Sequence, residues 1–228
     1  MLVRNVLSLI STPLKAFFSK RSTYPGIIPK SYFDLSVNGV SFRMIRVEGY
    51  DFYLGETPVT QKLWKAITGT NPSNNIGLDN PVDSVSLDDC ISFIRRLNDL
   101  TAFHFRLPYS YEWLKGAEGG IMENNSLFSG SDNLDSVGWY RDNSGGKTHP
   151  VKQKMPNQIG LYDMSGNVCE WCIDTGLNPS KNIIAGGDFE SPFNDCKLFE
   201  ATQYNAYHPK TRRFNVGFRL LLPCKVNG

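Results

Sequence analysis

The chain has 228 residues, enough for one domain with a sizeable core. Hydrophobic residues make up 40% and charged residues 20%, the profile of a folded domain and not of a disordered or fibrous chain. A net charge of +2 gives no field that would favour nucleic acid, so no nucleic-acid partner is expected.

Residues 1–30 read as a separate amphipathic arm and linker. Leu2, Val3, Val6, Leu7, Ile10, Leu14, Phe17 and Phe18 recur at helical spacing, with Lys15, Lys20 and Arg21 towards the end. Such a helix suits packing on the domain, self-association or contact with a membrane surface. Arg4, Pro13 and Lys15 interrupt the apolar stretch, so it is not read as a membrane span, and no clean cleavage site follows it. On this basis a cytoplasmic location is placed ahead of an envelope or virion one.

The domain is expected over 31–228. Val40 to Leu54 reads as a hairpin about Glu48-Gly49, rich in β-branched and aromatic residues. Thr60 to Thr68 predicts a helix with Thr60 as its cap and Gly69 as its stop. In SLDDCISFIRRLNDL, Ser86 and Asp89 have capping-box spacing, and Cys90, Phe93, Ile94 and Leu97 form one apolar stripe. A third helix is expected over Tyr111 to Ala117, and His104 between two phenylalanines reads as a strand residue. Beyond Gly119 the richness in Gly, Asn, Asp and Ser predicts loops with short strands.

The segments LGETPVTQKLW, NPVDSVSLDD, RLPYSYEW, PNQIGLYDMSGNVCEW, AGGDF and NVGFR, in this order between about Phe42 and Leu222, resemble the formylglycine-generating enzyme (sulfatase-modifying factor) family. The resemblance implies an α+β fold of the C-type-lectin type: a single domain with low regular secondary structure, a few helices and small twisted antiparallel sheets. It also implies a calcium site with carboxylates from Asp163 and Glu170 and backbone carbonyls from Gly166 and Val168. Calcium takes six to eight hard oxygens and can fasten such loops. A second calcium site seen in some relatives has no counterpart, because Trp139 to Gly146 differs too much.

The family's enzymes oxidise a sulfatase cysteine with copper held by two thiolates, the soft ligands copper(I) prefers. The resemblance puts one of those sulfurs at Cys196 and the other at Ser191, whose hydroxyl is a poor substitute. The serine after the Gly-Gly pair becomes Asp188, the pocket tryptophan becomes Cys169 and an arginine becomes Tyr204, while Asn215 is kept. Copper is therefore not expected. Cys196 and Cys169 remain the candidates for any catalytic role, although Cys169 and Cys172 should face opposite sides of a strand. A non-catalytic module is expected, binding a protein or peptide through Asp188, Phe189, Ser191, Phe193, Tyr204, Tyr207 and Asn215. The alternatives are a copper oxidase with altered ligands and a structural subunit of an envelope or virion assembly.

Overall fold

The computed structural model describes residues 31–121, 126–173, 183–198 and 207–224. The predicted N-terminal arm and Tyr204 lie outside these residues.

The expected hairpin is present and has one more strand than the sequence reading assigned. β1 (Tyr32–Val37) pairs with β2 (Val40–Arg46), which pairs with β3 (Phe52–Gly55), all antiparallel. Gly49 turns the chain between β2 and β3 at φ +82°, and a Cβ there would lie 2.0 Å from Ile121 Cγ2. Only glycine meets both demands. On the far side of β3, β7 (Leu221–Pro223) completes a four-stranded sheet in the order β1-β2-β3-β7.

Helix α1 (Gln61–Thr68) begins as expected, with Thr60 Oγ1 accepting from the Leu63 amide at 3.2 Å, and Gly69 ends it in the left-handed region. Helix α2 (Leu87–Thr101) opens on a complete capping box: Ser86 Oγ accepts from the Asp89 amide, and Asp89 Oδ2 accepts from the Ser86 amide at 2.9 Å. Helix α3 (Ser110–Ala117) starts one residue before the expected bound, and α4 (Leu134–Val137) is a single turn. His104 is not in a strand; it lies in the connection to Arg106, which bridges to Leu221.

A second sheet has the order β5-β4-β6, from β4 (Cys169–Cys172), β5 (Ile183–Ala185) and β6 (Val216–Gly217). The β4–β6 pairing is parallel, the one departure from the antiparallel pattern among the described strands. The main core joins the helices to both sheets. Trp64 stacks on Phe93 at 5.1 Å, and Phe218 meets Phe93 edge-on at 5.4 Å. Trp171 is fully buried and donates its indole N–H to the Val85 carbonyl. Burying each such side chain contributes about 1.5–3 kcal/mol or more. The aromatic core thereby holds the ends of β4 and β6, from which Cys169 and Asn215 project.

Candidate functional site

Of the residues expected to bind ligand, Ser191 and Asn215 meet Asp188, and Cys169 joins them. Asp188 Oδ2 accepts from Asn215 Nδ2 at 2.8 Å and from Cys169 Sγ at 3.4 Å, and its Oδ1 accepts from the Glu190 amide at 2.7 Å. Ser191 Oγ accepts from the Asp188 amide at 3.0 Å and closes the turn. Asp188, Asn215 and Cys169 are all buried. Three segments distant in sequence, at Cys169, Asp188 to Ser191 and Asn215, thus form one polar group.

The aromatic residues divide. Phe193 is 40% exposed and is held edge-on by Phe128 at 4.9 Å and Tyr140 at 6.4 Å, so it is an ordered apolar projection. Tyr207 is half-buried, edge-on to Trp171 and beneath the Arg213 guanidinium. Phe189 corrects the expectation: it is 1% exposed and serves the core, because its backbone is clamped between Asn167 and Ser144. Phe214, with its ring 6.0 Å from that of Phe189, is 41% exposed. Sequence reading missed Phe214 because an aromatic beside NVGFR carries no mark of which way it faces.

The thiols sit in unreactive surroundings. All five cysteines are buried and none is in a disulfide among the described residues. Burial, then the charges of Asp188 and Asp195, pushes the Cys196 thiol up to about 12. Burial and Asp188 also raise Cys169 well above the ordinary thiol value. Burial thus favours the neutral thiol over the nucleophilic thiolate at both positions in the metal-free chain. The Ser191 hydroxyl, engaged by a backbone amide, does not supply the second sulfur of a two-thiolate copper site, while Cys169 lies near enough to Cys196 for their charges to interact. Cys169 and Cys172 lie at opposite ends of β4 and belong to different core clusters, as their spacing predicts.

Of the expected calcium residues, Asp163, Gly166 and Val168 lie in the loop before β4 and Glu170 lies within that strand. Gly166 has φ +115°, and a Cβ there would lie 2.2 Å from the Trp139 carbonyl oxygen, so the turn requires glycine. Asp163 is buried, with Oδ2 accepting from the Lys152 amide at 3.0 Å and Oδ1 from Asn167 Nδ2 at 3.2 Å. Glu170 is not the open ligand that the sequence suggests. Its oxygens take N–H contacts from Arg219 Nη2 (2.8 Å), Arg219 Nε (3.0 and 3.3 Å) and Trp113 Nε1 (2.7 Å). Glu170 alone holds the Arg219 guanidinium, which acts on Asp163 only through its charge, and burial raises Asp163 to about 6. Asp163 and the Gly166 and Val168 carbonyls are hard oxygens of the kind calcium takes, although the Gly166 carbonyl also accepts from the Val168 amide at 3.0 Å and Glu170 is engaged by Arg219 and Trp113. No group of three His, Cys, Asp or Glu among the described residues forms a metal cluster, so such an ion would depend on carbonyls and water for its remaining ligands.

Asn167 links this loop to the Asp188 group. Its side chain donates to Asp163 and exchanges hydrogen bonds with the His149 backbone, while its carbonyl accepts from the Phe189 amide at 3.1 Å. Nothing in the sequence singles this asparagine out, since its role depends on long-range contacts.

A mixed α+β domain with two small sheets and long ordered loops, carrying the Asp188 group at the loop end, defines the class. Residues 38–223 match the sulfatase-modifying factor enzyme 1-like domain, and the chain belongs to this family. It is 30% identical to the chaperone protein LppX of Paenibacillus barcinonensis, over 68% of this chain and 75% of that one. It is 25% identical to the formylglycine-generating enzyme of Thermomonospora curvata, over 68% of this chain, and spans 60% of that enzyme's length. Among solved structures, Treponema denticola variable protein 1 superposes with a TM-score of 0.74 at 26% identity, covering 85% of this chain and 99% of that one. CarF superposes with a TM-score of 0.64 at 26% identity, over 75% of this chain and 86% of that one. No helix among the described residues is long and apolar enough to cross a membrane.

Proposed function

We propose that this chain is a non-catalytic binding domain whose loop end, around Asp188 and the projecting Phe193 and Phe214, receives a protein or peptide. The observation that carries the reading is the hydrogen bond from the Asp188 amide to Ser191 Oγ. A hydroxyl engaged by a backbone amide, at the position where the resemblance puts a metal thiolate, supports a site without the usual pair of copper sulfurs. Ordered, part-exposed aromatics beside a buried polar group are what protein-binding hot spots are made of. The name of the relative LppX, a chaperone, supports a polypeptide as ligand, and the likeness to variable protein 1 supports a loop end adapted for binding.

The experiment is a peptide-array screen with the full chain, compared with Phe193→Ala and Phe214→Ala. The reading predicts peptides that bind the unmodified chain and lose about tenfold or more in affinity with either variant. Binding that ignores both substitutions would move the site elsewhere.

We also propose that calcium binds as a structural ion at Asp163, Gly166, Val168 and Glu170. The support is the buried carboxylate of Asp163, whose charge a divalent ion would neutralise.

A further inference from the structure

A cavity of about 240 Å³ lies between β2, the turn after β3 and the loop carrying Lys152, away from the Asp188 group. Its floor is apolar, formed by Val59, Leu63 and Leu220, all buried. Its rim carries three charges. Glu56 is a carboxylate whose side chain is only 14% exposed, and Lys152 Nζ lies 3.0 Å from its Oε2. Arg43 uses Nε and Nη2 to hold Asp34, leaving Nη1 unbonded among the described residues.

Lys152 is placed there at a conformational cost. It adopts φ +67°, a left-handed geometry that residues with a Cβ rarely take. The hydrogen bond from its backbone amide to Asp163 Oδ2 holds that geometry. Its ammonium is thereby carried from a separate loop to the rim of the sheet's cavity, where it also sits 5.0 Å from the Tyr162 ring centroid. The volume is below the roughly 300–1,000 Å³ of pockets that take drug-sized ligands, so the occupant is small.

An acceptor and two cationic donors around an apolar floor are complementary to a small molecule carrying both charges and an apolar body. We propose that this cavity binds a free α-amino acid with an apolar side chain. The α-ammonium meets Glu56, which retains lone pairs beyond the one used by Lys152. The α-carboxylate meets Arg43 Nη1 and Lys152, and the side chain rests on Val59, Leu63 and Leu220. Charge-assisted hydrogen bonds at both ends supply orientation as well as affinity.

The test is a titration of the ¹⁵N-labelled full chain with L-leucine and L-phenylalanine to about 20 mM, the range in which millimolar affinities are read. N-acetyl-leucine amide, of similar shape but without either charge, is the control. The proposal predicts saturable shifts at the Gly55, Thr57 and Lys152 amides with the free amino acids and none with the amide. Glu56→Gln and Arg43→Met should each weaken binding by about tenfold. Ser41→Trp, at an exposed strand position on the cavity wall, should abolish it and serves as the second variant if either of the others fails to fold. No saturable shift, or equal shifts with the uncharged amide, would overturn the proposal and leave the reading of the Asp188 group untouched.

Discussion

Arg219 donates from Nε and Nη2 to both carboxylate oxygens of Glu170, and solvent reaches neither side chain. The same guanidinium donates from Nη1 to the Gly55 carbonyl at 2.7 Å and from Nη2 to the Tyr162 carbonyl at 2.8 Å. One cation thus fastens β3, β4 and the loop between Ile159 and Asp163. In a domain with short strands, such a polar hub does work that longer sheets do elsewhere.

Removing one partner leaves the other charged and buried. Arg219→Leu and Glu170→Gln should each destabilise the domain by about 3–5 kcal/mol, read from urea denaturation midpoints. A loss below about 1 kcal/mol for Arg219→Leu would show that the hub is not a fastener.

Asp163 gives a signed pH dependence. Its folded value of about 6 lies above the ordinary 3.8, so the unfolded chain ionises first as pH rises. Its contribution is fully present below pH 3.8 and is lost as pH rises through 6, by about 3 kcal/mol in calcium-free buffer. Asp163→Asn should flatten this slope in pH-dependent denaturation. Millimolar calcium should raise the neutral-pH melting temperature of the unmodified chain but not of the variant; an unchanged melting temperature would remove the ion.

Asp89 behaves oppositely. The Arg212 guanidinium, bonded at 2.7 and 2.8 Å, together with the capping-box bonds, lowers its carboxyl to about 2. Its contribution is present above pH 3.8 and disappears as pH falls through 2. Asp89→Asn should cost about 1–2 kcal/mol at neutral pH and shrink the acid limb of the stability curve.

Cys90, Cys169, Cys172 and Cys196 are held as thiols by burial. A water-soluble disulfide reagent at pH 8 should modify these four about a hundredfold more slowly in the native chain than in urea. Rapid native labelling of Cys196, located by peptide mapping, would contradict the environment described for it.

The helices were legible because their signals are local: Thr60, Ser86 with Asp89, and Gly69 act within a few residues of themselves. The hairpin turn was legible at Gly49 for the same reason. β1 was not, because Tyr32 to Val37 gains its identity from pairing with β2. In the site, the motifs AGGDF and NVGFR contain Asp188 and Asn215, and the family resemblance across the stretch between them pointed to Ser191 and Cys196. The burial of Phe189, the exposure of Phe214 and the capture of Glu170 by Arg219 depend on contacts across the chain. A charged Arg219 directly before the apolar run Leu220 to Leu222 was the available hint that a buried partner existed.

The most direct measurement on the loop end is an anaerobic copper(I) titration of the fully reduced chain against a competing chelator, followed by exposure to oxygen with a cysteine-containing sulfatase peptide. A binding domain with Ser191 committed to a backbone amide should show no stoichiometric high-affinity copper and leave the peptide unchanged by mass. One tightly held copper per chain, lost on Cys196→Ser and accompanied by conversion of the peptide cysteine to formylglycine, would contradict the account.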